Sequence, residues 1–135
     1  MRKKGFTLIE LLVVIAILGI LMAIGGVGMQ GYIQKLRLEE GTRKAKALLT
    51  QGRSLALRRS EATYVEVNES AMRLYDSGYR LVQSMNLPYH AKIRPNLRVH
   101  FTGRGLPEHQ YVFTVEMDSL SRKVVLLPTG KVVIP

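Results

Sequence analysis

From Leu11 to Gln34 the sequence carries no charged side chain, and Leu11 to Met29 is apolar or glycine throughout. A helix rises about 1.5 Å per residue and the hydrocarbon layer of a membrane is about 30 Å thick, so this stretch is long enough to span one. A helix buried in the core of a soluble domain is usually shorter. Ahead of it, residues 1–10 join a short basic cluster (Arg2, Lys3, Lys4), a small-residue junction at Gly5-Phe6 and one lone carboxylate, Glu10. A secretory signal peptide places its small-residue cleavage site after the apolar region. Here the small residue at a charge boundary is Gly5, before that region, so a cut there leaves the membrane helix on the mature chain. The basic cluster predicts a cytoplasmic N-terminus and an exported C-terminal domain. The competing reading is a plain, uncut, single-span anchor.

Glu10 argues against that plainer reading. A carboxylate near the start of a spanning helix costs up to about 2.5–3.5 kcal/mol, least near the boundary, and so calls for a partner. The apolar helix offers no basic one. Cleavage between Gly5 and Phe6 would create an α-amine at Phe6. A neighbouring chain shifted along a helical array could bring that amine to Glu10, and opposite charges in a low-dielectric bundle would fix the axial stagger.

With Lys4-Gly5-Phe6-Thr7-Leu8-Ile9-Glu10 running into Leu11-Leu12-Val13-Val14-Ile15-Ala16-Ile17-Leu18, the first 30 residues resemble the class III signal of type IV pilins and type II secretion pseudopilins. The resemblance implies cleavage after Gly5 by a prepilin peptidase and N-methylation of Phe6. It further implies lodging in the bacterial inner membrane as a single-pass protein with its C-terminal domain in the periplasm. Partners would be an inner-membrane assembly platform and other pilins or pseudopilins, with which the chain would enter a helical filament driven by a cytoplasmic ATPase. Glu10 falls at the family's assembly glutamate, which argues against the tip pseudopilin type that lacks it.

The remaining chain, about 100 of the 135 residues, suffices for one small domain. The expected organisation is a leader at 1–5, a membrane and filament-core helix at 6–33, and a globular domain at 34–135. Within the last, an amphipathic helix covers 34–59 and antiparallel strands 62–135. Leu38, Gly41, Ala45, Leu48, Leu49, Gly52, Leu55 and Ala56 recur at three- and four-residue spacings and predict one packed stripe. Arg43, Lys46, Thr50, Arg53 and Ser54 form the opposite, solvated side. Gly25, Gly26, Gly28 and Gly31 weaken the helix by roughly 1 kcal/mol each relative to alanine. They fit either close helix packing in the membrane or a zone that unwinds on entry into a filament.

From Ala62 the period changes to two. Residues 63–67, 72–76, 79–83, 97–101, 111–117, 123–127 and 131–134 read as short strands. Turns at 76–78, 118–121 and 128–130 and a break at 103–107 separate them. Six or seven strands behind one long helix make an α+β fold: a long N-terminal helix, membrane-spanning in its first half, packed on an antiparallel β-sheet domain. Residues 45–58, the strand at 97–103 and the closing Pro128-Thr129-Gly130-Lys131-Val132-Val133-Ile134 resemble the GspH/FimT-type minor pilin or pseudopilin domain, over most of 40–135. The sequence departs from bulk subunits in having no cysteine and no acidic pair for calcium in its final loop. A minor subunit is implied, either a minor type IV pilin or, alternatively, an H-type minor pseudopilin of a type II secretion system.

Residues 34–135 carry 17 basic and 9 acidic side chains, a net of +8. Between Asp76 and Glu108 there is no acid, while Arg80, Lys92, Arg94, Arg98 and Arg104 are basic. A single-signed run of this kind suits a phosphate backbone, and Tyr89 and Tyr111 offer stacking on unpaired bases. The family resemblance includes members that act in DNA uptake, so DNA is a candidate partner, with those five residues as the candidate nucleic-acid-binding set. A solvated basic surface or a filament contact is the competing reading. His90, His100 and His109 lie about ten residues apart with no thiol and no clustered carboxylates, so no metal site, cofactor or catalytic constellation is expected. Thr129-Gly130-Lys131 lacks the glycine-rich loop of a phosphate cradle.

Overall fold

The computed structural model describes residues 5–135; the basic cluster Arg2, Lys3, Lys4 lies outside the described residues. The chain divides into two compact units, Met1–Ile33 and Gln34–Pro135. Helix α1, Leu8–Arg59, supplies the described helical part of the first and the opening of the second. In the first unit the helix runs without interruption through Gly25, Gly28 and Gly31, and a side chain at any of these three would meet nothing within 4 Å.

In the second unit α1 is followed by eight strands: β1 Thr63–Val67, β2 Ala71–Tyr75, β3 Leu81–Asn86, β4 Lys92–Arg94, β5 Leu97–Phe101, β6 Tyr111–Met117, β7 Leu120–Leu126 and β8 Val132–Val133. They form two antiparallel sheets, β3-β2-β1-β5 and β4-β6-β7-β8. The α+β class expected from the sequence holds, with two four-stranded sheets. Strand β4 has no counterpart in the sequence reading, because Lys92-Ile93-Arg94 is too short to show a period. Strand β3 begins at Leu81 instead of Tyr79. The backbone of Asp76 closes on both Tyr79 and Arg80, so the turn consumes those residues.

All eight residues of the predicted helix stripe are buried. They pack with Met72, Leu74, Ile93, Val99, Phe101, Phe113 and Leu126 in one core. Gly52 is required there: a Cβ would lie 2.9 Å from Val65 and 3.2 Å from Leu74, so only glycine lets the helix approach sheet β3-β2-β1-β5 this closely. Alternate residues of β1 (Thr63, Val65, Val67) and β6 (Tyr111, Phe113, Val115, Met117) face inward, as period-two patterning requires. The two buried polar residues in that core are satisfied locally. Thr42 donates to the Leu38 carbonyl at 2.7 Å, and Thr63 donates to the Gly52 carbonyl at 2.9 Å, tying β1 to the helix.

Arg53 corrects the sequence reading of a solvated face. Its guanidinium turns inward and donates to the Gly130 carbonyl at 3.0 Å. Helix α1 stops at Arg59 because Ser60 adopts a left-handed conformation, φ 53°, and the Glu61 N–H returns to the Ala56 carbonyl. The loop after β5 closes over this helix end. A Cβ on Gly103 would sit 2.5 Å from the Ser60 carbonyl oxygen, and one on Gly105, at φ +68°, would sit 2.6 Å from Leu57.

Candidate functional site

The first candidate is the head of α1. Thr7 is its N-cap: the Leu11 N–H reaches the Thr7 carbonyl, and the Glu10 N–H reaches the Thr7 hydroxyl at 3.4 Å. In return the Glu10 carboxylate accepts from the Thr7 N–H at 3.0 Å and the Thr7 hydroxyl at 3.1 Å. This reciprocal arrangement is a capping box, which satisfies N–H groups that a helix start leaves orphaned. Glu10 therefore has hydrogen-bond partners within its own chain, which the sequence analysis did not foresee. The signal was present as Thr-x-x-Glu immediately before an apolar run. The box holds the carboxylate but leaves its charge uncompensated, since among the described residues no cation pairs with it. A carboxylate in the first turn also meets the positive end of the helix dipole.

Gly5 and Phe6 precede the helix, and Phe6 is 84% exposed. A side chain added at Gly5 would meet nothing within 4 Å. Nothing in this chain's own described packing demands glycine there. From Leu8 to Gly25 the helix is long and apolar enough to cross a membrane, and none of that stretch is buried within the chain.

The second candidate is the basic surface of residues 34–135, and folding redistributes it. Lys92 and Arg94, on β4, converge on Glu69 at 2.8 and 3.6 Å. The Lys92 ammonium hydrogen-bonded to Glu69 holds that carboxyl below the usual glutamate range, and the charge of Arg94 adds to the effect. Arg98, on β5, meets Glu66 across the sheet at 3.5 Å. Arg80, in the turn before β3, and Arg104, in the loop after β5, are exposed and have no ion-pair partner among the described residues. The stretch from Ser77 to Pro107 is acid-free in sequence, but Glu66, Glu69 and Glu108 fold onto it. The five candidate cations therefore fall into a paired group and an unpaired one.

The aromatic contribution also shifts. Tyr111 is 7% exposed and belongs to the core, which removes it as a stacking platform. Tyr89 is exposed but already covered on one side by the Arg37 guanidinium, 4.8 Å from its ring centre. The stack that forms instead is Tyr79–Tyr64–His100, with ring centres 4.6 and 4.8 Å apart and planes within 13° and 10°. Sequence spacing could not reveal it, because it joins a turn, β1 and β5. Tyr79 reaches Tyr64 through a left-handed backbone, φ 57°. His100 contacts Glu108 through Nδ1 at 2.6 Å, and His109 tilts against Tyr111. Among the described residues no three His, Cys, Asp or Glu side chains are grouped to hold a metal.

A helix with an apolar head and a second half packed on two antiparallel sheets makes a pilin-like fold. Residues 1–26 match the family described as the prokaryotic N-terminal methylation motif. The fold is similar to that of the type IV minor pilin FimU of Pseudomonas aeruginosa strain PAO1. One crystal form gives a TM-score of 0.65 over 77% of this chain and 92% of that one. A second gives 0.60 over 72% and 91%. Identity is 12% in both, so the likeness is one of fold. A fimbrial protein of Moraxella nonliquefaciens is 50% identical over 48 residues, which is 36% of this chain. The match spans 31% of that relative's length.

Proposed function

We propose that this chain is a minor type IV pilin that is cut between Gly5 and Phe6 by a prepilin peptidase, N-methylated on Phe6 and taken from the inner membrane into a pilus. The observation that carries this is the Thr7–Glu10 box at the head of an unburied apolar helix. The box fixes a carboxylate about one turn from the amine that cleavage would create, ready for a neighbouring chain's Phe6. The apolar side chains then exchange lipid for the helices of adjacent pilins, and the domain from Gln34 onward faces the periplasm before assembly. Likeness to a minor pilin fold and to the matched part of a fimbrial protein supports the pilin reading.

The basic surface contributes to DNA uptake in this reading. The unpaired Arg80 and Arg104 supply phosphate contacts, the exposed Tyr79 end of the ring stack offers a face to a base, and Lys92, Arg94 and Arg98 add to the field. A deletion strain scored side by side for DNA uptake, twitching motility and protein secretion tests both parts. Loss of uptake and motility with secretion intact is expected. Loss of secretion alone would move the chain to the type II secretion class. Motility lost with uptake unchanged would retain the pilin role and remove the DNA role.

A further inference from the structure

The domain has four sheet edges, and three are blunted. β4 is short, carries Lys92 and Arg94, and is followed by Pro95. β8 has only two residues. β5 bears Arg98 and is bridged at its end by Pro107, with the Glu108 N–H on the His100 carbonyl. Charge, proline, shortness and cover are the usual devices against unwanted strand pairing. β3 has none of them: Leu81-Val82-Gln83-Ser84-Met85-Asn86 is six residues with no charge and no proline, paired on one side only, with β2. Five of the six are exposed, including Leu81 at 55% and Val82 at 45%.

The backbone groups on that edge can be placed. The Leu87 N–H donates to the Ser70 carbonyl, and Met85 and Gln83 lie opposite Met72 and Leu74. In an antiparallel ladder the hydrogen-bonding direction alternates, so the N–H and C=O of Ser84 and Asn86 point away from β2.

We propose that the outer edge of β3 is a strand-addition site for an extended, acidic segment of a partner protein. Charge selects the occupant. Arg73, cross-strand neighbour of Ser84, and Arg80, just before β3, are exposed and have no ion-pair partner among the described residues. The nearby acids are occupied: Glu66, opposite Arg73 on β1, meets Arg98 and accepts from the Tyr75 hydroxyl, Asp76 accepts from the Gly78 and Arg80 N–H groups and faces Arg59, and Glu69 holds Lys92 and Arg94. A second copy would bring its own domain of net charge +8 and be repelled. An acidic strand would pair its backbone with Ser84 and Asn86, rest apolar side chains on Leu81 and Val82, and place carboxylates near Arg73 and Arg80.

The test is site-resolved amide exchange on the full chain in detergent micelles, with a capped ten-residue peptide of alternating Glu and Val as probe. In the free chain Ser84 and Asn86 should exchange fast, and Gln83 and Met85 slowly. The peptide should slow Ser84 and Asn86 at least about tenfold, equivalent to ~1.4 kcal/mol, and less so at high salt. Ser84→Pro removes an N–H that the ladder does not use. It should keep the unfolding midpoint and abolish the slowing at Asn86. If that variant fails to fold, the same peptide N-methylated at alternate amides serves instead and should have no effect. Four results would each overturn the proposal: protection of Ser84 and Asn86 that rises with protein concentration alone, equal slowing by a single-stranded oligonucleotide, undiminished slowing by the N-methylated peptide, or no slowing at all.

Discussion

Glu10 has two roles open to it, and they make different demands on the side chain. As a capping residue it needs only an acceptor for the Thr7 N–H and hydroxyl; as an assembly residue it needs its charge. Glu10→Gln keeps the acceptor and removes the charge. It should therefore lower incorporation into filaments about tenfold or more, as severely as Glu10→Ala, while helix content in micelles stays unchanged. Thr7→Ala should instead cost about 0.5–2 kcal/mol at the helix start and reduce incorporation only a few-fold. Filament yield per cell and circular dichroism read the two effects apart, and normal assembly of Glu10→Gln would leave capping as the residue's whole role. In the second unit, Gly103 faces the Ser60 carbonyl, a backbone atom that cannot swing aside. Gly103→Ala should destabilise the domain by about 1–3 kcal/mol. Its melting temperature should fall by roughly 4–8 °C per kcal/mol, measured by calorimetry.

Elements differed in how far they could be seen in the sequence. The buried stripe of α1 was legible because one face repeats at helical spacing from Leu38 to Ala56, and every residue named from that pattern is buried. β1, β5 and β6 were legible to the residue, each having alternating β-formers bounded by turn residues. β4 was not, since a three-residue strand with only Ile93 buried has no period to display. β7 starts at Leu120, earlier than the pattern suggested, because Asp118 takes a left-handed φ of 53° and tightens the hairpin to two residues. Arg53 reads as a surface residue by type; its contact with Gly130 spans 77 positions and no local pattern carries it. The ring stack was hidden for the same reason. At the helix head, the capping box was written in the sequence as Thr7 and Glu10, but the cost of a charge near lipid drew the reading toward an intermolecular partner.

Across the whole molecule, charge along the sequence and charge in space diverge. The acid-free stretch from Ser77 to Pro107 suggested one continuous basic surface, yet Glu69 alone engages two of its cations. Releasing them should raise affinity for duplex DNA. Glu69→Gln should bind more tightly at low salt, with log K falling more steeply against log salt by up to about 1.8, or 0.9 for each added phosphate contact. Arg80→Ala with Arg104→Ala should flatten the same slope by a similar amount. Fluorescence anisotropy over a salt series measures both, and a slope unmoved by either change would take DNA away from this surface. In the proposed assembly mechanism, processing and filament entry both rest on cleavage of the bond between Gly5 and Phe6. The mass of the chain recovered from sheared surface filaments examines that bond directly. A chain beginning at Phe6 and bearing one added methyl is expected, whereas a filament-borne chain that still begins at Met1 would contradict the assembly mechanism.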